Sequence, residues 1–298
     1  MKIGFIGLGR MGYPMARNLA GAGHELLVFD SHSMAMESLR EEAGVTPMAG
    51  VGEVAAHTQI LFTVLPNNDI VREVYLGAEG IAAGAREGTV TCDCSTVGPE
   101  VSEEISAALH PKGVTHFDTP MLGSQPQAVD GEIFFIVAGD AAQLGKAAPL
   151  LEVMGKMHMH VGPSGTANRI KLIHNALGAV NSVAVAESLA LCARLEVDPE
   201  IFYQVVSNGG GMAYSTYFGK RAQRVSAGQF DPTFTLELML KDVGLALQLA
   251  EQAHVPVPIM EETRQTYQEG ADNGWGQDDF SAVSRVIEKR MGKKLFGK

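Results

Sequence analysis

Cysteine is scarce in this chain: Cys92, Cys94 and Cys192 are the only three among 298 residues. Three thiols make no disulfide framework, and none stands at finger-like spacing from other metal ligands. Such usage suits a reducing cytosol, so a cytoplasmic protein is expected. Basic residues are also in deficit, 23 against 34 acidic ones, for a net charge of −11. That balance argues against a nucleic-acid surface as the main role, and the basic tail (Lys289, Arg290, Lys293, Lys294) reads as a solvated terminus. Long apolar runs are missing. The most apolar window, residues 176–191, carries Asn181 and Glu187, so no membrane span is expected. Arg10 interrupts the opening apolar run too early for a signal peptide. No Gly-x-Ser-x-Gly elbow occurs, which removes the commonest serine-hydrolase signature. His158 and His160 share a strand face but lack an acid or third ligand nearby, so no metal is expected.

What the chain does contain is core-forming material. Its 46% hydrophobic and 19% charged residues describe a globular protein, long enough for one large domain or two medium ones. Residues 1–6 form a short apolar strand candidate that runs into Gly7-Leu8-Gly9-Arg10-Met11-Gly12. A helical pattern follows, then a second apolar run over 25–29 and the acid Asp30. Glycine-rich turns alone are common, but strand, turn, helix, strand and acid together each have a physical task. Gly7 permits the tight turn, Gly9 leaves room for a pyrophosphate, and Gly12 lets helix and strand pack closely. The helix N-terminus offers N–H groups and positive dipole to phosphates. Asp30 is placed to accept hydrogen bonds from ribose hydroxyls. The plain alternative is an ordinary tight turn in a doubly wound sheet.

Strand candidates at 60–65, 89–93, 114–118, 133–138 and 158–161 alternate with helical patterns, which implies a mostly parallel sheet covered on both faces. Ligands in such folds bind outside the carboxyl ends of the strands. After Gly162-Pro163-Ser164-Gly165 the strands stop. Residues 166–195 form one long helical candidate, apolar nearly all round its middle, of the kind buried between domains or subunits. Further helices are expected at 199–207, 212–227, 236–253, 258–270 and 281–291. The fold class is therefore α/β: a Rossmann-type doubly wound parallel sheet over 1–163, then an all-helical C-terminal domain over 164–298, joined by a long interdomain helix.

Lys171 and Asn175 lie four apart on that helix, hence on one face, among apolar neighbours. They would place an amine and an amide inside an interdomain cleft. Burial lowers a lysine's pKa toward the working range, which suits it to move the proton that accompanies a hydride. A snorkelling lysine above a structural amide satisfies the same spacing.

Several stretches, in order, add to this. Gly4-Phe5-Ile6-Gly7-Leu8-Gly9-Arg10-Met11-Gly12 resembles the opening signature of the β-hydroxyacid dehydrogenase family, whose members include 3-hydroxyisobutyrate dehydrogenase and tartronate semialdehyde reductase. Leu65-Pro66-Asn67, Asp93-Cys94-Ser95-Thr96, Asp118-Thr119-Pro120, Lys171-Leu172-Ile173-His174-Asn175 and Lys241-Asp242-Val243-Gly244 are similar to its later motifs. The resemblance covers essentially the whole chain. It implies that Lys171 is the catalytic acid/base and that Asn175 is a catalytic and substrate-binding residue. It further implies that Gly7, Leu8, Gly9, Arg10, Met11, Gly12, Asp30, Leu65, Pro66, Thr96 and Lys241 hold the cofactor. Ser95, Leu122, Gly123 and Ser124, together with Lys171 and Asn175, are implied as substrate contacts. Lys241 has a rival reading, a solvated helix lysine paired locally.

One motif departs from the family. Where a Ser-Gly-Gly turn is usual after the Asp-x-Pro segment, this chain has Leu122-Gly123-Ser124. Leu122 removes a hydroxyl, Ser124 supplies one two positions later, and Gly123 still permits close backbone approach. An anionic end group on the substrate stays compatible with this turn. Asp30 disfavours the 2′-phosphate of NADP, and Ser31-His32-Ser33 contains no arginine to receive it, so NAD is the expected cofactor. Arg10 is the nearby cation that would admit NADP.

The expected activity is NAD-dependent hydride transfer between the nicotinamide and a small 3-hydroxy acid, 3-hydroxyisobutyrate-like, or its semialdehyde. Two readings stay open beside it. One is a reductase of tartronate, succinic or sulfonated semialdehyde; the other is a non-catalytic NAD(P)-binding protein, from which Lys171 separates an enzyme. A 6-phosphogluconate dehydrogenase shares the opening motif but needs a longer helical domain. The long apolar helix points to a homodimer or homotetramer.

Overall fold

The computed structural model describes residues 2–294, Phe296 and Gly297. It divides into two compact units, Met1–Lys171 and Leu172–Lys298. The division falls inside the long helix rather than at Pro163, the sequence-based boundary.

The first unit is built on one sheet: β1 (Lys2–Ile6), β2 (Glu25–Phe29), β3 (Val45–Pro47), β4 (Ile60–Thr63), β5 (Val90–Asp93), β6 (Thr115–Asp118), β7 (Met121–Leu122), β8 (Ile133–Ala138) and β9 (Gly155–Gly162). Between the strands run α1 (Gly12–Gly21), α2 (Ser33–Arg40), α3 (Val51–His57), α4 (Asn68–Leu76), α5 (Ile81–Gly84), α6 (Pro99–Leu109), α7 (Gln125–Val129) and α8 (Ala148–Met154). Strand order is β3-β2-β1-β4-β5-β6-β8-β7, with β9 paired to β8. The first six pair in parallel, in the order of a doubly wound dinucleotide-binding sheet.

Alternation along each strand feeds two cores. Ile3, Phe5, Leu26, Val28, Ile60 and Phe62 meet Met15 and Leu19 of α1 on one face. Ile6, Leu27 and Leu61 meet Val54 of α3 and Val101 and Ile105 of α6 on the other. Both faces are buried, which is why β4 reads as an apolar run, while β5 keeps its polar Thr91 and Asp93 fully buried as well. Three details escape the sequence pattern. β8 runs antiparallel to β6 and β7. The edge strand β3 has three residues and β7 two, too few to show alternation.

The second unit is helical. The long helix is α9 (Thr166–Arg194), followed by α10 (Pro199–Asn208), α11 (Thr216–Ser226), α12 (Leu236–Gln252), α13 (Pro258–Gly270) and α14 (Ser284–Met291). One isolated bridge, Thr235 to Asp279, is the exception to an all-helical reading. α11 starts four residues later than its pattern because Ser215 caps it, accepting from the Phe218 N–H at 3.1 Å. A tight helical turn at Phe280–Val283 precedes α14.

α9 corrects one expectation, that no apolar run is long enough for a span, and its burial within the single chain is one-sided. It has 29 residues and a window of mean hydropathy 1.6, so by length and composition it could cross a membrane. Its apolar residues have a protein partner instead: Ala179, Val183, Ala186, Leu189 and Ala190 pack against Phe218, Leu236, Met239, Val243 and Tyr267. Nor is it buried all round. Half of that window is buried, while Ile173, Leu177 and Leu191 are 57%, 57% and 59% exposed.

Candidate active site

The glycine turn shows three different reasons for glycine. Gly7 has φ +91°, and a Cβ on it would stand 2.2 Å from the Val64 carbonyl oxygen. A Cβ on Gly12 would stand 2.0 Å from the Gly7 carbonyl oxygen. A Cβ on Gly9 would meet nothing within 4 Å. Two glycines are thus required by the fold itself, and the third opens onto space that a pyrophosphate would fill. The neighbouring helix end agrees, since no side chain caps α1 at Met11.

Asp30 follows β2 and faces this turn. Its carboxylate accepts from the Leu8 N–H at 2.6 Å and the His32 N–H at 2.7 Å. Two backbone donors hold the carboxylate in place, and a carboxylate has further lone pairs for ribose hydroxyls. Arg10 is exposed and has no hydrogen bond or ion pair among the described residues.

The next two loops are tied together from below. Asp93 is fully buried at the end of β5 and accepts from Thr63 Oγ1 (2.7 Å), Ser95 Oγ (2.5 Å) and the Ser95 N–H (3.1 Å). Ser95 Oγ in turn accepts from the Leu65 N–H at 2.8 Å. Ser95, expected as a substrate contact, is therefore a buried brace between the β4 and β5 loops. The residues it braces are the ones expected on the cofactor: Leu65 and Thr96 are half-buried and Pro66 is exposed.

Lys171 is brought to the substrate turn. Its side chain is buried, and Nζ donates to the Met121 carbonyl at 2.6 Å. Met121 opens the Leu122-Gly123-Ser124 segment, so an amine stands where the sequence expects a substrate's end group. The segment itself differs from expectation. Leu122 packs with Phe134, Ile136, Ala138, Val161 and Ala167. Ser124 caps α7: its hydroxyl donates to Gln127 Oε1 at 2.7 Å and its N–H to the same oxygen at 2.9 Å. The hydroxyl expected to replace that of the usual serine is engaged in this cap. Gly123, at φ +137°, keeps the backbone open there.

Asp118, at the end of β6, was legible as part of a motif but not as a functional group. Burial pushes its pKa up to about 6, against the pull of the Gly165 and Asn168 N–H groups. Asn168 also escaped the sequence reading; its only signal was a place one turn before Lys171.

In the second unit Asn175 is buried, with Nδ2 donating to Asp242 Oδ2 at 2.6 Å. Asn175 Oδ1 lies 3.1 Å from His174 Nδ1. Asp242 Oδ1 lies 3.1 Å from Lys241 Nζ, an ion pair without hydrogen-bond alignment. Lys241, expected on the cofactor, makes this ion pair with its neighbour while its side chain keeps 26% exposure. Asp242 fixes which end of the Asn175 amide points away from it.

A family model described as the NAD binding domain of 6-phosphogluconate dehydrogenase matches residues 2–162. A second, described as NAD-binding of NADP-dependent 3-hydroxyisobutyrate dehydrogenase, matches residues 165–287. The 3-sulfolactaldehyde reductase of Escherichia coli is 33% identical, with 97% of each chain covered. This chain belongs to the β-hydroxyacid dehydrogenase family. Another relative, the NAD-dependent L-serine dehydrogenase of Pseudomonas aeruginosa, is 32% identical over 98% of this chain and 99% of its own. Among solved structures, 3-hydroxyisobutyrate dehydrogenase of Mycobacterium tuberculosis with L-serine superposes at a TM-score of 0.88, with 29% identity over 96% of this chain and 98% of that one. The doubly wound sheet followed by helices is the architecture of this β-hydroxyacid dehydrogenase, and the motifs seen in the sequence span both matched regions.

The glycines generate a contrast. Gly12→Ala forces backbone apart and should cost about 1–3 kcal/mol of stability in urea unfolding. Gly9→Ala should leave stability within about 0.5 kcal/mol and weaken dinucleotide binding, read by titration with NADH fluorescence, by at least about tenfold. Equal NADH affinity in Gly9→Ala and wild type would remove Gly9 from the cofactor cradle.

Proposed function

We propose that this β-hydroxyacid dehydrogenase is an NAD-dependent enzyme that oxidises a small anionic 3-hydroxy acid, or reduces the matching semialdehyde, with Lys171 as general acid/base. The observation that carries this reading is the buried Lys171 amine, held on the Met121 carbonyl at the head of the 122–124 turn. A bound nicotinamide dinucleotide supplies the two-electron hydride chemistry. Gly7, Leu8, Gly9, Arg10, Met11, Gly12 and Asp30 would hold it by the adenosine and pyrophosphate, with Leu65, Pro66 and Thr96 further along. Lys171 would take the hydroxyl proton during oxidation and return it during reduction. Asn175, oriented by Asp242, would hold the substrate oxygen so that its proton faces the amine.

The Asp30 carboxylate, held by the Leu8 and His32 N–H groups, supports NAD over NADP, since a carboxylate beside the ribose would repel a 2′-phosphate. Arg10, exposed in the glycine turn, would offset it. On the substrate side, Leu122 offers no hydroxyl and Ser124 has its proton on Gln127. An anionic end group there would rely on backbone N–H groups and on the Lys171 side of the turn. The relatives named above act on a sulfonate, an amino acid and a hydroxyisobutyrate, each with an anionic end group. Tartronate, succinic and sulfonated semialdehydes therefore belong in the same class of substrates. The three buried free thiols suit a reducing cytoplasm, which in-cell fluorescence of a tagged protein would check.

The chain is also proposed to form a homodimer or homotetramer through its helical unit. Leu177 and Leu191 of α9 and Ile201 and Val205 of α10 are each more than half exposed, an apolar set that a second copy would cover.

Lys171→Ala should lower kcat by about 10²–10⁴-fold while NAD still binds, followed by NADH absorbance. A folded Lys171→Ala protein that keeps most of its turnover sinks the acid/base role. Asp30→Ser should narrow the preference for NAD over NADP by about tenfold or more, about 1.4 kcal/mol; an unchanged ratio assigns discrimination elsewhere. Light scattering should give an oligomer for wild type and a smaller species for Leu177→Glu/Leu191→Glu. A wild-type monomer at working concentration removes the oligomer.

A further inference from the structure

The start of α9 is held from three directions within the first unit. Asp118 is fully buried, and its carboxylate accepts from the N–H groups of Gly165 (2.9 Å), Ala167 (3.1 Å) and Asn168 (3.2 Å), with Ser164 Oγ at 3.4 Å. These are first-turn donors that no partner inside a helix can reach. A carboxylate there also meets the positive end of the helix dipole. The second hold is Asn168, whose Oδ1 accepts from the Val97 N–H at 3.2 Å and whose Nδ2 donates to Ser102 Oγ at 3.1 Å. Val97 directly follows Thr96, so this amide ties the helix to the loop that bears a cofactor candidate. The third hold is the Lys171 amine on the Met121 carbonyl.

The spacing joins these holds. Lys171 lies three residues along the helix from Asn168, and Met121 lies three along the chain from Asp118. One short stretch, from Asp118 to Met121, therefore grips both the helix end and the amine that projects from its next turn. Each residue advances a helix by about 100°. A cap shifted by a single residue would swing Lys171 off the Met121 carbonyl and away from the 122–124 turn.

We propose that Asp118 is a positioning residue for Lys171: its carboxylate sets the phase of α9, and the phase sets where the amine stands. This rests on the reading of Lys171 as the acid/base, and it adds a residue that does not touch the reacting atoms. The neutral, similarly sized Asp118→Asn retains one acceptor oxygen but turns an NH₂ toward backbone donors, so the grip loosens without removing volume.

The test is a double-mutant cycle on the full-length protein with NAD: wild type, Asp118→Asn, Lys171→Ala and the pair. Asp118→Asn should lower kcat by about tenfold or more, because misplacement of a catalytic group by about 1 Å costs up to 10²-fold. KM for NAD should stay within about threefold, since the nucleotide cradle proposed above does not include the amine. In the Lys171→Ala background the same change should alter the residual kcat by less than about twofold. Hydrogen exchange at the Ala167 and Asn168 amides should quicken in Asp118→Asn. Asp118→Ser, also a good cap, replaces asparagine in the cycle if that variant does not fold. Additive losses, or faster exchange with unchanged kcat, overturn the positioning role alone. Full turnover in Lys171→Ala overturns the acid/base reading and this proposal with it.

Discussion

Backbone N–H groups left over at the carboxyl edge of a parallel sheet need acceptors, and three carboxylates supply them. Asp30 after β2 takes the Leu8 and His32 N–H groups, and Asp93 at the end of β5 takes that of Ser95. Asp118 at the end of β6 takes three from the start of α9. Each acid thereby pins a loop or helix to a strand end. An ionised oxygen makes a stronger hydrogen bond than a neutral one, so these pins are stiffer than water or a hydroxyl would make them. The glycine turn, the 93–96 loop and the helix that bears Lys171 all hang from this set.

The arrangement has a cost. Asp93 and Asp118 lie on paired strands and both are fully buried, and the charge of Asp93 adds to the burial that raises Asp118. What offsets the cost is the number of donors. Elsewhere in the same core, burial acts with little to oppose it. The His116 imidazole is pushed down to about 3 and stays neutral, with its Nδ1 beside Thr91 Oγ1. The Cys94 thiol is pushed up to about 12. Burial thus keeps the imidazole and the thiol in their neutral forms.

Much of the fold was legible because periodicity and turn chemistry act locally. The glycines, the acid after β2 and the strand–helix alternation specify a doubly wound sheet wherever the chain is read. β3 and β7 were not legible because two or three residues carry no period. The antiparallel β8 was hidden because strand direction is decided by the connection, not by side chains. The exposed stripe on α9 was hidden for a related reason: an all-apolar helix does not announce which faces its neighbours take. Of the site, Lys171 and Asn175 were visible through their four-residue spacing. Their partners, Met121 and Asp242, lie far away in sequence and belong to other elements.

Sequence by itself determined which groups the chain carries at short spacing: a glycine turn with Asp30, a lysine and amide on one helix face, and a Leu122-Gly123-Ser124 turn without the family's usual hydroxyl. Those properties reside in residue types at short spacing, and short spacing fixes geometry through the backbone alone. Tertiary structure decided how the groups are used. It set the Ser95 and Ser124 hydroxyls to bracing and capping, paired Lys241 with Asp242, and made Asp118 the anchor of α9. Whether a polar atom is engaged depends on which donor or acceptor burial brings beside it, and that is a property of the packed fold.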